Sequence, residues 1–249
     1  MTEAAESAGQ ERAAYYAAKP GGWRDWWTLL HPPYTAWHLG YVVIGACLAP
    51  VVDMTRLLAT LLAFFLAVGL AAHALDEMQG RPLRTKIPSW ALVAVVAGGL
   101  IGAVAIGIAG IDQVGWSLVP FLIVGPALVI VYNMELLHGM LHNDLGFALC
   151  WGAFPVLVAY VAQTGRLALA PIIVAGGAVA LSAAQRALST PARILRRRAP
   201  EVTGTVIIAD GDRITLDRGV LLAPLERALR ALSWGVVLVA AGLAVARLH

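Results

Sequence analysis

Long apolar runs separated by short polar breaks set the pattern of this chain. A membrane-crossing helix needs roughly 20 mostly apolar residues. On that criterion the sequence predicts seven spans, at about 35–52, 56–77, 89–110, 117–137, 145–164, 167–189 and 224–247. Gly98-Gly99 and Gly176-Gly177 offer small residues where helices can approach closely. Pro120, Pro126 and Pro155 fall inside spans, where membrane helices tolerate them. Residues 196–219, RRRAPEVTGTVIIADGDRITLDRG, break the apolar pattern. Asp210-Gly211 sits there between two β-prone runs and predicts a hairpin. The next segment, LLAPLERALRAL, is amphipathic and predicts an interfacial stretch with Arg227 and Arg230 at headgroup level.

The N-terminal stretch MTEAAESAGQERAAYYAAKPGGW lacks the basic-then-apolar order of a cleaved leader and reads as a short, mostly disordered tail. The expected organisation is a tail and interfacial segment at 1–28, a helical membrane domain at 29–198, a hairpin at 199–220, and an amphipathic segment with the last span at 221–249.

Composition sharpens the class. The 249 residues are 59% hydrophobic and 13% charged, against 45–50% and about 25% for a soluble domain. Mean hydropathy is +0.76. The expectation is an all-α polytopic membrane protein with no nucleic-acid partner. Lys and Arg fix the orientation, because they are retained on the cytoplasmic side. Only Arg56, Arg166 and Arg247, three of 18, fall on one side, which leaves 15 on the side of the N-terminus. The N-terminus is therefore expected inside and the C-terminus opposite. The Arg196-Arg197-Arg198 run reads as part of this retention signal, touching anionic lipid, with a specific phosphate-binding role as the alternative. Trp23, Trp26, Trp27, Trp37, Trp90 and Trp116 lie near predicted boundaries and read as an aromatic belt. Trp151 and Trp234 read as packing residues. Cys47 and Cys150 sit in apolar runs and read as small buried hydrophobes without a disulfide.

Ionisable groups gather at the cytoplasmic ends of three predicted helices. The second ends in His73, Asp76, Glu77 and Arg81. The fourth ends in Tyr132, Asn133, Glu135 and His138, followed by His142, Asn143 and Asp144. The sixth ends in Gln185, Arg186 and Arg193. Polar groups are costly at membrane depth and face a bundle interior or a wet cavity, so a cavity open to the cytoplasm is expected. His73, Asp76, Glu77 and Gly80 have the spacing of one helical stripe. Glu135, His138 and His142 share a stripe if the helix continues that far. Glu-x-x-His is half of a di-iron carboxylate signature, present here in a single copy. Interfacial capping is the plain alternative for each residue. A second chemical reading takes His73, Asp76, Glu77, Glu135, His138, His142 and Asp144 as a mixed shell for a transition metal such as iron, zinc or manganese. His31 is expected in the interface, and His38 in a structural hydrogen bond.

Three segments resemble the UbiA superfamily of intramembrane prenyltransferases, and a fourth falls in register with it. HPPYTAWHLGYVVIGACLAP is similar to the family's opening helix, and AAHALDEMQGRPLRTKIP sits where its first Asp-rich motif ends the second helix. LGFALCWGAFPVLVAYVAQTG resembles the fifth helix, and SAAQRALSTPARILRRR falls where the second Asp-rich motif ends the sixth. The resemblance covers about residues 29–198.

It implies a cytoplasmic-side cavity in which Mg²⁺ neutralises an isoprenyl diphosphate or a similar lipid-like substrate. Asp76 and Glu77 would then be metal-binding and, with Arg81, catalytic. Arg84, Tyr132, Asn133, Arg186 and Arg193 would bind substrate. The departures are Leu75 in place of Asn, Gln79 in place of Asp, and no acid between Ser182 and Pro200. The chain also ends after about one further helix where the family has three. Membrane lipid is the other expected partner, and a non-catalytic lipid- or quinone-binding homologue is the third reading.

Overall fold

The computed structural model describes residues 13–248, and residues 1–12 and 249 lie outside it. Six helices are long and apolar enough to cross a membrane. After a short helix α1 (Trp23–Leu29) and α2 (Pro32–Cys47), the six run as α3 (Met54–Met78), α4 (Ser89–Val114), α5 (Trp116–Asn133), α6 (Asp144–Thr164), α7 (Leu169–Arg197) and α8 (Arg218–Leu248). The first expected span corresponds to α2, which at 16 residues is shorter than the rest. It starts at Pro32-Pro33, whose missing N–H groups fall where a helix has no use for them. Its Trp37, Tyr41, Val42 and Ala46 are buried against α6 and α8.

Local chemistry explains most helix ends. The Asp53 carboxylate accepts the Arg56 N–H at the start of α3, and Asn143 accepts the Gly146 N–H at the start of α6. Gly165, with φ 69°, ends α6 in the left-handed region that other residues avoid. α3 and α6 each contain a π-helical turn, at Phe65–Ala72 and Leu149–Ala153. Such turns are rare and often mark functional sites.

Glycines set three close crossings. A Cβ on Gly45 would lie 2.3 Å from the Val156 carbonyl, one on Gly152 would lie 2.7 Å from the Ala178 carbonyl, and one on Gly99 would lie 2.6 Å from the Leu66 carbonyl. Gly98, Gly176 and Gly177 meet nothing within 4 Å, so of the two expected pairs only Gly99 serves an approach. At the end of the bundle away from the cavity, Arg56 donates to the Gln163 and Gln113 carbonyls (2.9 Å each), and the Asp53 N–H meets Gln163 Oε1 at 2.7 Å. Large apolar side chains such as Ile101, Ile123, Ile173 and Leu238 are left exposed on the perimeter, as a lipid-facing surface requires.

Several expectations are corrected. α5 stops at Asn133 rather than near 137. The amphipathic segment and the last span form one helix, α8, with Pro224 inside it. Residues 13–22 pack on the bundle, where Ala17 is buried, in place of the expected disordered tail. Trp37 is core and not belt, whereas Trp234 is 65% exposed. The hairpin matches its expectation: β1 (Gly204–Ile207) pairs antiparallel with β2 (Arg213–Leu216), in register Gly204↔Leu216 to Ile207↔Arg213, and Gly211 takes φ 92° at the tip.

Candidate functional site

A cavity of about 370 Å³ opens where the C-terminal ends of α3, α5 and α7 meet the N-terminal ends of α2, α6 and α8. Its floor is the last turn of α3. Asp76 lines it, half-buried, with no hydrogen bond or ion pair to a described residue. Glu77, one position on, is fully buried on another side of the helix. Its carboxylate accepts from the Leu83 N–H, the Thr85 N–H and the Thr85 hydroxyl, at 2.9, 2.9 and 2.8 Å. Glu77 therefore shapes the loop after α3 and does not face the cavity. That loop also consumes Arg81, which donates to the Ile87 carbonyl and to Ser89 Oγ. Arg84 is exposed, and neither arginine lines the cavity. All three side chains therefore lie away from the cavity that Asp76 lines.

The α5 side is built differently from the expected stripe. Glu135, Leu137 and His138 all take left-handed φ values (52°, 56° and 57°), so the chain turns away and no helical face joins Glu135, His138 and His142. His138 is exposed and outside the cavity. His142 returns to it, stacking on the Tyr132 ring at 4.8 Å and bonding the Tyr132 carbonyl through Nδ1. Glu135 sits 3.8 Å from His142 Nε2, 64% exposed. Asn133 lines the cavity but donates its amide to the Val129 carbonyl. Arg186 gathers this wall: Nε meets Asp144 at 3.0 Å, Nη1 meets the Tyr132 hydroxyl at 3.2 Å, and the guanidinium lies 5.2 Å above the Phe147 ring.

α7 supplies the basic wall. Ser182, Gln185, Ser189, Arg193 and Arg196 fall on one stripe, with Arg186 and Arg197 beside it, and all line the cavity. Arg193 contacts Thr190 Oγ1 at 3.3 Å. Arg196 holds Glu226 of α8 through two bonds, one of them 2.8 Å. Arg197 Nε donates to the Ala13 carbonyl at 3.0 Å. The Arg196–Arg198 run thus lines the cavity.

The remaining wall is aromatic and imidazole. The Tyr16 hydroxyl lies 2.7 Å from His31 Nδ1, and the His31 ring stacks on His73 at 4.3 Å. Burial, reinforced by His73, Arg197 and Arg193, holds the His31 pKa well below the usual range, so the ring is neutral at pH 7. Burial also pushes the Tyr16 phenol well above its usual range. His31 Nε2 and Gln185 Oε1 are buried without a partner among the described residues. His31 is thus a cavity residue rather than an interfacial one. His38 makes the structural bond expected of it, Nδ1 to the Trp151 carbonyl at 3.0 Å. Tyr15, Tyr16 and Glu226 are site residues that the sequence reading missed. The adjacent tyrosines in an otherwise polar tail were the available signal.

A second cavity of about 310 Å³ lies among α3, α4, α5 and α6. Phe64, Ala103, Gly107, Leu122 and Phe154 line it, and it shares Val68 and Trp151 with the first.

Among the described residues no three His, Cys, Asp or Glu side chains come together as a metal-binding group. The seven-residue shell of the second reading is dispersed: His73 bonds the Gly69 carbonyl, Glu77 is spent in its loop, Asp144 pairs with Arg186, and His138 is outside. The chain matches no family model, no curated protein and no solved structure.

Proposed function

We propose that the chain is a UbiA-like integral membrane enzyme that binds an isoprenyl diphosphate and promotes loss of its pyrophosphate. On this reading α2 is the seventh span, the cavity faces the cytoplasm with the N-terminus, and the C-terminus lies opposite. One observation carries it: a single cavity collects Arg186, Arg193 and Arg197 with one unpaired carboxylate, Asp76. That donor set suits a polyanion, since guanidinium–phosphate contacts are charge-assisted and strong.

The donor set also decides how a divalent cation fits. Of the three carboxylates that line the cavity among the described residues, Glu226 is held by Arg196 and Glu135 sits beside His142. Asp76 alone is left, too few for a protein-only site. Mg²⁺ commonly binds through one or two carboxylates plus substrate phosphate oxygens, so Asp76 would hold an ion that arrives with the diphosphate and neutralises part of its charge. In the reaction the C1–O bond breaks and its electron pair leaves with the diphosphate. Arg186 and Arg193 stabilise the charge that develops there, in place of the missing second acidic motif. Transfer to an acceptor and cyclisation share this step. Tyr132 and Asp144 orient Arg186, and the facing wall of Tyr16, His31 and His73 carries no carboxylate to compete for it.

The test is binding and turnover with purified protein. Geranyl diphosphate with Mg²⁺ is expected to bind and to release pyrophosphate. Arg186→Ala or Arg193→Ala should each weaken binding about tenfold or more, the worth of a hydrogen bond to a charged group. Absence of binding by the folded protein sinks the proposal. Binding without pyrophosphate release would leave a non-catalytic lipid-binding protein in its place.

A further inference from the structure

The chain that precedes α1 enters the arginine-lined cavity. Ala13, Ala14, Tyr15 and Tyr16 line it, and residues 13–22 form neither helix nor strand. The Ala13 carbonyl accepts from Arg197 Nε at 3.0 Å, and the Tyr15 ring lies 5.2 Å from the Arg230 guanidinium. The Tyr16 hydroxyl meets His31 at 2.7 Å, and its ring stands edge-on to Tyr34 at 5.6 Å. Two arginines and an imidazole are thus engaged by AAYYAA, residues 13–18, a run without charge. Few bonds hold the run down. The Ala18 N–H donates to Thr28 Oγ1 and the Gly21 N–H to Asp25 Oδ1, at 3.0 Å each. Gly21 and Gly22 join it to α1 with φ values of 127° and 60°, a region open to glycine and costly for other residues. α1 is fixed separately, because Asp25 is buried and its Oδ2 accepts the Lys86 N–H at 3.0 Å. Residues 13–20 can therefore swing about the two glycines while α1 stays in place.

We infer that residues 13–20 are an autoinhibitory strap: the Ala13 carbonyl competes with diphosphate for Arg197, and the substrate head binds only by displacing Ala13–Tyr16. This rests on the diphosphate reading given above and adds regulation to it. The relative strength of the two partners sets the direction. An uncharged carbonyl offers a guanidinium one acceptor, whereas a phosphate brings opposite charge and a bidentate fit. Diphosphate therefore wins the arginine, and the strap returns as pyrophosphate leaves. A lid that closes on its ligand would need groups to offer it, and AAYYAA brings no cation to a phosphate. The strap lowers the apparent affinity by the fraction of molecules in which it stands open.

The test measures binding of pyrophosphate with Mg²⁺ to the full-length protein by calorimetry, unmodified and in two strap variants. Thr28→Val removes the acceptor of the Ala18 N–H at a buried position outside the cavity. Tyr15→Ala removes the ring beside Arg230. Each should tighten pyrophosphate binding about two- to tenfold, the worth of one such contact, with monodispersity and thermal unfolding as folding controls. Unchanged or weaker binding in both folded variants overturns the strap, while binding to the unmodified protein upholds the diphosphate reading. Pyrophosphate that binds neither the unmodified protein nor the variants removes the diphosphate reading, and the strap falls with it. Hydrogen exchange gives an independent result on unmodified protein. The Ala17 N–H is bonded to the Ala14 carbonyl at 3.1 Å and the Ala18 N–H to Thr28, so pyrophosphate should speed exchange in the peptide that carries both. Unchanged exchange on binding overturns the displacement, and slower exchange overturns it in favour of a closing lid.

Discussion

Asp76 and Glu77 are adjacent acids with opposite duties, and the reason is the 100° step between neighbouring positions on a helix. Asp76 turns to the cavity, whereas Glu77 turns into protein and becomes the template on which residues 79–88 fold. Removing the Glu77 carboxylate strands two buried N–H groups and a hydroxyl, at about 1–3 kcal/mol for each unsatisfied group. Glu77→Ala should therefore lower the unfolding temperature markedly and reduce yield, and Glu77→Gln, which retains one acceptor oxygen, should do so less. Asp76→Asn should leave thermal unfolding nearly unchanged and weaken the Mg²⁺ dependence of diphosphate binding. If the two phenotypes are exchanged, the assignment of floor and template is wrong. His31 gives a pH test. Its folded pKa is depressed below the unfolded value of about 6.5, so below that pH the unfolded chain binds the extra proton and stability falls as pH falls. His73 of α3, Arg193 and Arg197 of α7 and His38 of α2 all disfavour its charged form, and the Tyr16 hydroxyl of the N-terminal segment meets its Nδ1. The unfolding temperature should drop between pH 7.5 and 5.5, and His31→Gln should flatten that drop.

Helices in this bundle meet where a glycine permits it, and the contrast between glycines is testable. Gly45→Ala drives a methyl onto the Val156 backbone at 2.3 Å, and backbone cannot swing aside as a side chain can. Separating α2 from α6 should cost about 1–3 kcal/mol, the usual penalty for overpacking, read as a lower unfolding temperature in detergent. Gly176→Ala meets nothing and should be neutral or stabilising by up to about 1 kcal/mol through helix propensity. The ion pair between α7 and α8 gives a sharper case. Arg196 and Glu226 are both largely buried, at 10% and 7% side-chain exposure, and breaking such a pair from one side costs about 3–5 kcal/mol. Glu226→Ala should therefore loosen the α7–α8 contact and release the segment that Tyr15 and Tyr16 hold over the cavity. At this scale the sequence read well where the bilayer sets the length. Spans in α3, α4, α6, α7 and α8 and the Asp210-Gly211 hairpin were all legible. The end of α5 was not, because the left-handed residues after Asn133 are Glu, Leu and His, none of which announces a turn. The π-helical turns were equally silent, since no residue type marks them. Among site residues the helix-end arginines and Asp76 could be found by depth in the membrane. The face taken by Glu77 and the return of Tyr16 to His31 depend on tertiary packing that spacing alone does not encode.

The whole molecule has two unlike ends. One carries the cavity, the basic face of α7 and the hairpin, while the other is tied by Arg56, Asp53 and Gln163 and bears few charges. Charge asymmetry of this kind orients a membrane protein, because Lys and Arg near short loops stay on the cytoplasmic side. It also suits the proposed chemistry, since a water-soluble diphosphate head would reach the arginines from the aqueous face. Orientation can be measured apart from function. Cys47 and Cys150 are both buried and unpaired, so introduced thiols should stand out against little background. Asp210→Cys places one at the exposed hairpin tip, and Arg166→Cys places one in the exposed turn between α6 and α7. A membrane-impermeant maleimide applied to intact cells should label the Arg166 variant, and should label the Asp210 variant only after permeabilisation. Labelling of both from outside would mean an even number of crossings between residues 166 and 210, and α7 would then not span. The reversed pattern would put the arginine-lined cavity on the outer face, where a cytoplasmic isoprenyl diphosphate could not reach it.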